Sequence, residues 1–496
     1  WENRMNRGIA WISVLVAVAL LAGTSSPAAA QTDVPAAPAA PAPGDTVVFK
    51  PATPAESLMV GLGVSPGVPW SLTRCIELAL QQNADVKVAH ARARQAAGSA
   101  LSAWSGIIPS VDAQAAYQQT RPDKFSATRV VTFNDSTTVN GLAKKQENGS
   151  ISASATSNII SIPAIKEKQR RDHLRNGSDM DEAETRNLVV FQVKQQYFTL
   201  LKADRLAQVA RDTERLARDE ETRANALFQV GTVAKGDVLK ARAHRASTQA
   251  DRLQAESQAE IEASKLRQIL GLTTNERIGA EPLSDTGIVM PDSADAIRQA
   301  VVTRPRIMSA KATENAARAS LFGANAERLP KITGNFGVDR SKIDETITDL
   351  GGVPGLPDEV VNTRYATQWR GGVVASMPIF EGLSIEGGVR QAKGAVLEAE
   401  SQRRQSELDV AVEVQQAWFL LREAVQRIDV QREGLTSAEE DYKFSKGRYD
   451  LGAGTYLDLL TAEVGLATAR QNLIQALADA RIAEAGLEFS IGAKRY

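Results

Sequence analysis

An internal duplication limits the folds open to this chain more than any other feature of its sequence. The segment FQVGTVAKGDVLKA, which begins at Phe228, resembles YDLGAGTYLDLLTA, which begins at Tyr449, and the offset between them is 449 − 228 = 221. VKQQYF from Val193 and VQQAWF from Val414 are separated by the same offset, since 414 − 193 = 221. Agreement at one offset in separate places indicates two copies of one structural unit.

Residues 1–69 stand outside the duplication. Two arginines precede an apolar run over residues 9–22, and three alanines then offer a small-residue cleavage site. This order of charge, apolar run and small residues predicts an export signal peptide over residues 1–30. Residues 31–69 begin with the Pro/Ala-rich stretch DVPAAPAAPAPGD, which predicts an extended linker. No later segment has ~18 uninterrupted apolar residues, so the sequence predicts no transmembrane helix.

The two repeats occupy residues 70–285 and 286–496. Both predict the same pattern of helix, strand, strand, long helix, turn and long helix. In each repeat a proline, Pro109 or Pro330, ends a helical run and precedes alternating apolar and polar residues, SVDAQAAYQ or KITGNFGVD. Alternation with a period of two predicts β-strands.

The sequence predicts four strands per chain, with polar loops at residues 121–147 and 343–365. Their length is near the ~9–11 residues of a tilted strand that crosses a membrane. Four strands are too few to close a barrel, and open sheet edges do not occur in lipid. The strands therefore either join those of other chains in one shared barrel or form a small soluble sheet in each half.

The long helices have the pattern of a coiled coil. No proline or glycine interrupts residues 181–229, which predicts a rod of about 70 Å at ~1.5 Å per residue. The last helix of the second repeat has apolar or small residues at heptad spacing, namely Leu459, Ala462, Leu466, Ala469, Leu473, Ala476, Ala480, Ala483 and Leu487. This seam fits a hairpin of two helices packed on itself as well as a cylinder of such hairpins.

The sequence shows no constellation of catalytic or metal-binding residues. A formal net charge of −1 gives no basic field for nucleic acid, and the single cysteine excludes a disulfide framework. The three histidines are dispersed, and none is at ligand spacing from another histidine or the cysteine. The motifs G-x-S-x-G, H-E-x-x-H and Walker A do not occur. We therefore predict that the chain is not an enzyme and has no cofactor and no metal site.

Four motifs together resemble the TolC-like outer-membrane efflux family, the outer membrane factors. They are WSLTRCIELALQQNADV from Trp70, the two prolines noted above, MPIFEG from Met377, and the turns VGTVAKGD and LGAGTYLD between the long helices. The resemblance implies a mixed α and β fold in which a membrane β-barrel continues into a long α-helical coiled-coil barrel. It further implies a trimer whose chains share one twelve-strand barrel and one twelve-helix tunnel.

The resemblance also implies a function, that of a passive outer-membrane exit duct in a tripartite efflux or type I secretion system. The barrel would contact outer-membrane lipid of a Gram-negative bacterium, and the helices would lie in the periplasm. The expected partners are two further copies of the chain, a periplasmic adaptor (membrane fusion) protein, and an inner-membrane pump or ABC transporter. No nucleic acid partner is expected. The alternative is a soluble periplasmic helical scaffold or adaptor protein, and the sequence does not specify a cargo.

In the family, the periplasmic tips of the helices form a gate, and three residues of this chain match it. Asp458 matches the first position of an acidic ring, whereas Thr461 stands at the second position, so at most half of the ring is present. Asp237 matches the acidic partner of the closing contacts, and Tyr449 matches the aromatic partner. Asp237 and Asp458 each also follow a turn, so both fit a capping role at a helix N-terminus equally well.

The tip turns match the surface on which the family docks its adaptor. Gly454 stands where the family has a basic residue, so we expect the closed gate to be held differently, with Lys235 or Arg448. Gly231 and Gly452 are expected to permit the positive φ of the turns. The predicted docking residues are Gly231, Thr232, Val233, Gly452, Ala453 and Gly454.

Overall fold

The computed structural model describes residues 70–121, 128–133, 137–273, 288, 290–348 and 359–492. All of them belong to one unit, Met59–Tyr496. The signal peptide and the linker predicted over residues 1–69 lie outside the described residues.

Each repeat folds as two short helices, a set of strands, and a hairpin of two long helices. The first repeat contains α1 (Leu72–Gln82), α2 (Ala84–Ser102), a 3₁₀ turn (Ala103–Gly106), β1 (Ser110–Thr120), β2 (Thr128–Phe133), β3 (Thr137–Ile160), α3 (Ile162–Gln229) and α4 (Lys235–Leu270). The second contains α5 (Ser293–Thr303), α6 (Pro305–Ala326), β4 (Lys331–Thr348), β5 (Glu359–Ser376), α7 (Ser384–Asp450) and α8 (Tyr456–Ile491). The bounds of α1 and α5 differ by 221 at both ends (293 − 72 and 303 − 82), as do those of α4 and α8 (456 − 235 and 491 − 270). The tandem repetition predicted from the sequence is confirmed.

Two helices, rather than one, open each repeat. Asn83 separates α1 from α2 because its backbone is extended (ψ 135°) and its side-chain oxygen accepts a hydrogen bond from the N–H of Asp85 at 2.8 Å. Arg304 and Pro305 form the same junction in the second repeat. Proline fits the first position of a helix but disfavours helical geometry in the residue before it, and Arg304 is extended with ψ 120°.

The strands form one antiparallel sheet in the order β1–β3–β4–β5. Strand β1 pairs with Gln146–Thr156 of β3, and β2 pairs with Thr137–Leu142 of the same strand. Strands β1 and β2 therefore lie in series along one edge of β3, and the described sheet is four strands wide although it has five strands.

The described strands are longer than the sequence predicted, and they extend into both segments that were predicted as polar loops. Strand β2 and the first part of β3 occupy most of the segment predicted as a polar loop at 121–147, and β4 and β5 extend into the one predicted at 343–365. Alternating hydrophobicity marks a strand only where one of its faces is buried. These extensions are mostly polar, so the residue pattern carries no signal for them although their backbones are paired.

The strand register sorts the sheet into an apolar face and a polar face. Two neighbouring rows across β1, β3, β4 and β5 on one face are Val111, Ala155, Phe336 and Gly371, then Ala113, Ala153, Val338 and Trp369. Two rows on the opposite face are Asp112, Ser154, Gly337 and Arg370, then Gln114, Ser152, Asp339 and Gln368. The rings of Phe336 and Trp369 are 5.9 Å apart. Since side chains alternate between faces, the period-two pattern in the sequence specifies this sorting.

The long helices are continuous over 68 residues in α3 and 67 in α7, about 100 Å each at ~1.5 Å per residue. Helix α3 begins well before residue 181. Its N-cap is Ser161, whose hydroxyl accepts a hydrogen bond from the N–H of Ala164. Gly177 does not interrupt it, and a Cβ atom at this position would be in ordinary van der Waals contact with Ala312 of α6 at 3.6 Å. No helix in the described part of the chain has an apolar stretch long enough to cross a membrane.

Repeat-related core clusters lie at the end of each hairpin that is far from its turn. The first joins α1, α3 and α4 through buried side chains that include Cys75, Val193 and Leu266. The second joins α5, α7 and α8, with Val414 and Leu487 at the positions equivalent to Val193 and Leu266. These cores fix both hairpins at one end, so the turns lie at the free end of each hairpin.

Candidate functional site at the helical tips

The first tip turn joins α3 to α4. Gly231 has a φ of 80°, which a residue with a side chain adopts only at a cost. Its N–H donates to the carbonyl of Phe228 at 3.0 Å, and the N–H of Thr232 donates to the carbonyl of Leu227 at 3.0 Å. These two bonds form a Schellman motif, which satisfies the last carbonyls of α3 and turns the chain sharply.

The second tip turn joins α7 to α8 with the same geometry. Gly452 has a φ of 71°. Its N–H donates to the carbonyl of Tyr449 at 3.0 Å, and the N–H of Ala453 donates to the carbonyl of Arg448 at 2.8 Å. The two glycines therefore have the role in the turns that the sequence predicted.

Capping differs between the two tips. The hydroxyl of Thr455 accepts from the N–H of Asp458 at 3.2 Å, and the Asp458 carboxylate accepts from the N–H of Thr455 at 3.2 Å, which completes a capping box. These bonds with Thr455 hold the pKa of the Asp458 carboxyl below its usual value. In the first tip Ala234 is at the cap position and provides no side-chain bond, and the carboxylate of Asp237 lies 3.3 Å from Nζ of Lys240 instead.

The predicted gate residues lie close to the tips in different surroundings. Tyr449 packs edge-on against Tyr456, with ring centroids 5.8 Å apart, beside the buried Ala224 and Ala241. Burial, followed by the charge of Asp237, raises the pKa of Tyr449. The Tyr449 hydroxyl makes no hydrogen bond within the described residues, so the structure places it near Asp237 without bonding the two.

Thr461 lies one turn beyond Asp458 on the exposed surface of α8. Its hydroxyl donates to the carbonyl of Leu457 at 2.8 Å. The predicted docking residues Gly231, Thr232, Gly452 and Ala453 are exposed, whereas Val233 and Gly454 are half-buried. Two apolar side chains next to the turns, Val230 and Leu451, are 72% and 85% exposed.

Gly454 packs closely on the end of α7. A Cβ atom at this position would lie 3.1 Å from Cβ of Arg448 and 3.2 Å from the backbone nitrogen of Tyr449. The Arg448 guanidinium crosses the turn and donates from Nη2 to the carbonyl of Ala453 at 3.1 Å. Arg448 therefore stabilises its own tip, in a turn that has little room for a side chain at position 454.

A family model for outer membrane efflux proteins matches residues 75–272 and 296–493. The starts of the two matches differ by 296 − 75 = 221, the offset of the duplication, and together the matches cover more than half of the chain. The chain belongs to the outer membrane efflux protein family. The resemblance seen in the sequence motifs is confirmed.

The relatives of this chain are distant from it in sequence, and the solved structures that match it are similar to it in fold. It is 24% identical to outer membrane protein TolC of Escherichia coli (strain K12) over 302 residues, which are 60% of this chain and 59% of the TolC chain. The match thus spans about three fifths of that relative's length. The outer membrane channel CmeC of Campylobacter jejuni has a TM-score of 0.68 at 18% identity, with 85% of each chain covered. The open state of the MtrE outer membrane channel of Neisseria gonorrhoeae has a TM-score of 0.65 at 16% identity, with 85% of this chain and 88% of MtrE covered.

Sequence motifs did not reveal an ion pair that joins the two hairpins of this outer membrane efflux protein. Nη1 of Arg223 on α3 lies 2.6 Å from Oδ1 of Asp450 at the end of α7, and both side chains are partly exposed. Their separation along the chain, 450 − 223 = 227, differs from the offset of 221, so they are not repeat equivalents. A heptad seam indicates which face of a helix is buried but not which hairpin it meets, so no pattern in one sequence could pair these residues.

A second group missed from the sequence is buried between the hairpins. Glu220, His244 and Glu463 lie within three turns of the tips, on α3, α4 and α8. Burial and the charge of Glu463 raise the pKa of Glu220 to about 7. Their spacing resembles no motif, and a glutamate on a helix is ordinarily a solvated side chain.

The chemistry of the described residues is that of packing and charge. No group of three histidine, cysteine, aspartate or glutamate side chains within them is arranged to hold a metal ion. Cys75 is buried in the first core cluster, and burial raises the pKa of its thiol to about 12. A thiol in that state is a poor nucleophile.

Proposed function

We propose that this chain is a passive exit duct of the Gram-negative outer membrane, built from three copies. The observation that carries the proposal is the four-strand sheet with one apolar and one polar face. Its edge strands β1 and β5 leave backbone groups unpaired within one chain, and such edges are excluded from lipid unless they pair with another copy. Three copies of four strands give twelve, enough for a closed barrel.

The apolar face has the character expected of a lipid contact. Along the strands it ends on one side at a row that contains Arg340, and the next row contains Tyr117, Lys342 and Tyr365. Tyrosines are enriched where barrels meet the membrane–water interface. Its large side chains are exposed in the single chain, including Val111, Phe336 and Trp369. A soluble sheet would leave this band in water, so this observation favours the duct over the soluble scaffold or adaptor.

The helices supply the second part of the duct. Each chain contributes four long helices, so three copies give twelve. Helices α3 and α7 are rods of about 100 Å that reach far from the sheet, and α4 and α8 have 36 residues each. Small residues along α8, such as Ala476, Ala478 and Ala480, are buried and let neighbouring helices approach closely. The polar face of the sheet and the charged helix surfaces would then line a water-filled passage.

The tips are proposed to be the periplasmic gate and the docking surface. The gate assigned to Asp237, Tyr449, Asp458 and Thr461 lies beside the two turns. The exposed turns of the docking surface lie next to Val230 and Leu451, the kind of apolar residues that a helical adaptor buries. An inner-membrane pump or ABC transporter supplies the energy, and the duct changes only the population of its open state.

Planar bilayer conductance tests this function. Purified full-length protein should insert and give discrete conductance steps that contact with the matching adaptor increases. The matched control replaces Trp369 by aspartate, which puts a charge on the apolar face and should abolish insertion while the helices stay folded by circular dichroism. Absence of conductance from correctly folded wild-type protein, with or without adaptor, would contradict the duct.

A further inference from the structure

A cluster of buried and half-buried titratable side chains lies between the two hairpins. Its members come from all four long helices, Glu220 on α3, His244 on α4, Tyr442 on α7 and Glu463 on α8. Each lies within seven to nine positions of the end of its helix at the tip turn (229 − 220, 244 − 235, 450 − 442 and 463 − 456), about 10–14 Å along the helix. Glu220 and Glu463 are only 7% and 2% exposed, and Nε2 of His244 lies 3.6 Å from Oε1 of Glu463.

Several polar atoms of this cluster are buried and make no hydrogen bond within the described residues. Among the described residues, those buried without a partner include Oε2 of Glu220, both carboxylate oxygens of Glu463, Nε2 of His244, and the hydroxyls of Tyr442 and Tyr456. A buried carboxylate without a donor is costly in its charged form and much less costly when it binds a proton. The cluster therefore favours a bound proton.

Another buried glutamate of the same helix shows the contrast. Glu214 lies less than two turns before Glu220 and is equally inaccessible, but it accepts bonds from Arg252 at 2.5 Å and Arg218 at 2.8 Å. Nor is the cluster a product of the duplication, because the positions equivalent to Glu220, His244 and Glu463 hold an exposed aspartate, a glycine and an exposed arginine. The unpaired acids are particular to this contact.

The charged groups that face Glu220 act in both directions. The negative charge of Glu463 opposes its ionisation, whereas Arg223, Lys446 and His244 favour it. Arg223 is held by Asp450 at 2.6 Å, which reduces its effect. The titratable or charged groups around the cluster are Arg223 on α3, Asp237 and His244 on α4, Tyr442, Lys446 and Tyr449 on α7, and Tyr456, Glu463 and Arg470 on α8.

We propose that Glu220, His244 and Glu463 form a proton-dependent contact between the two hairpins of one chain, which is packed when the cluster holds a proton and loosens when the proton is lost. A protonated Glu220 removes the repulsion between the two carboxylates. Without this proton the seam buries two like charges, and separation of the hairpins gives both carboxylates access to water.

The direction of the pH effect follows from the two protonation states of Glu220. Its pKa is about 7 in the packed seam, against 4.5 for an ordinary glutamate. The packed seam is therefore favoured in full below about pH 4.5, and this preference is lost as the pH rises through about 7. With one linked proton, the ratio of separated to packed hairpins rises by up to about tenfold per pH unit in this window, or about 40-fold from pH 5 to pH 7.

Distance measurements on the assembled full-length protein test the contact. Spin labels are placed by Ser247→Cys on α4 and Lys443→Cys on α7, which are both exposed positions, while the native Cys75 is fully buried and stays unlabelled. Labelled chains are diluted with unlabelled chains so that distances within one chain dominate. Double electron–electron resonance is recorded from pH 5 to pH 8.

Three variants make the result specific to the cluster. Wild-type protein should gain a population with a longer distance as the pH rises from 5 to about 7, with little further change up to pH 8. Glu220→Gln, which keeps the side chain neutral, should remain packed throughout. Glu463→Gln, which removes the neighbouring charge, should move this change to lower pH and provides a second test if Glu220→Gln does not fold. Asp219→Asn, at the exposed neighbouring position on α3, should behave as wild type.

A wild-type distance distribution that does not change from pH 5 to pH 8 would overturn the proposal, as would a Glu220→Gln variant that keeps the wild-type pH dependence. The consequence for opening of the duct rests on the proposed function, whereas the distances do not. A pH-dependent distance in a protein that never conducts would therefore contradict the duct and leave the contact intact. A conducting protein whose distances do not change with pH would support the duct and contradict the proton-dependent contact.

Discussion

Asn83 and Arg304 are repeat equivalents (304 − 83 = 221), and each donates a side-chain hydrogen bond to the last helix of its own repeat. Nδ2 of Asn83 donates to the carbonyl of Ile269 at 2.8 Å, and Nη1 of Arg304 donates to the carbonyl of Ser490 at 2.8 Å. The two acceptors are themselves repeat equivalents, since 490 − 269 = 221. The duplication has thus preserved a bond while the side chain that makes it has changed from a short amide to a buried cation.

The longer side chain of Arg304 has gained ionic partners. Its guanidinium pairs with Glu184 at 2.8 Å and Glu413 at 3.2 Å, and it also stacks on Phe489. We expect Arg304→Ala to lower the free energy of unfolding by about 3–5 kcal/mol, because it leaves buried acceptors and carboxylates unpaired. Arg304→Asn should cost less, because it restores the bond of the first repeat. Chemical denaturation of the assembled protein measures both.

Arg306 is the matched control for Arg304. It pairs with the same Glu413 at 2.9 Å, but its side chain is 42% exposed. Exposed ion pairs contribute about 0–1 kcal/mol, so Arg306→Ala should have little effect on the free energy of unfolding. Equal effects of Arg304→Ala and Arg306→Ala would contradict the special role of the buried guanidinium.

We expect that an arginine in place of Gly454, where the family has a basic residue, would not strengthen the closed tip. The added Cβ would meet Arg448 at 3.1 Å and the Tyr449 backbone at 3.2 Å, and overpacking of this kind costs about 1–3 kcal/mol. Gly454→Arg and Gly454→Ala should therefore both increase hydrogen exchange at the α7–α8 turn. Slower exchange in Gly454→Arg than in wild type would show that the turn accommodates the side chain.

The ion pair between Arg223 and Asp450 should bias the tips toward closure. It is partly exposed, so its contribution is about 0–1 kcal/mol and decreases with salt. Arg223→Asp should raise the open fraction in single-channel recordings at low salt, and Arg223→Asp combined with Asp450→Arg should restore it. A double variant as open as the single one would show that the two side chains do not act as a pair.

The acidic ring assigned to Asp458 predicts a block by divalent cations. Asp458→Asn should weaken the block of conductance by an added divalent cation, because a narrow mouth lined by carboxylates concentrates cations. Thr461→Asp, which fills the second position of the ring, should strengthen it. Because Asp458 also completes the cap with Thr455, Thr455→Ala is the control. It removes a capping bond and keeps the carboxylate, so the block should persist.

The sequence alone predicted the parts of the fold that leave a direct trace in residue type. The structure has the offset of 221 between the repeats and the strands expected from the alternation in SVDAQAAYQ and KITGNFGVD. It also has a positive φ at the glycine of each turn. The division of the leading helix at Asn83 and the polar lengths of β2 and β3 were missed. In these segments the backbone conformation is set by one cap or by a neighbouring strand rather than by a pattern of apolar residues.

The candidate site was predictable only in its position along the chain. Residues at the turns could be named because the turns are recognisable in sequence. The contacts that relate one hairpin to the other, such as Arg223 with Asp450 or His244 with Glu463, join residues that are far apart in the chain. Such pairs depend on how two coiled coils pack side by side, and a single sequence does not contain that information.

Both the barrel and the duct depend on the pairing of β1 and β5 between copies, and native mass spectrometry of the detergent-extracted protein measures this pairing. We expect a trimer that persists in the mass spectrometer and that forms only when a detergent or lipid covers the apolar face. A monomer or dimer that stays soluble without detergent would contradict this expectation, since the four strands would then close no barrel.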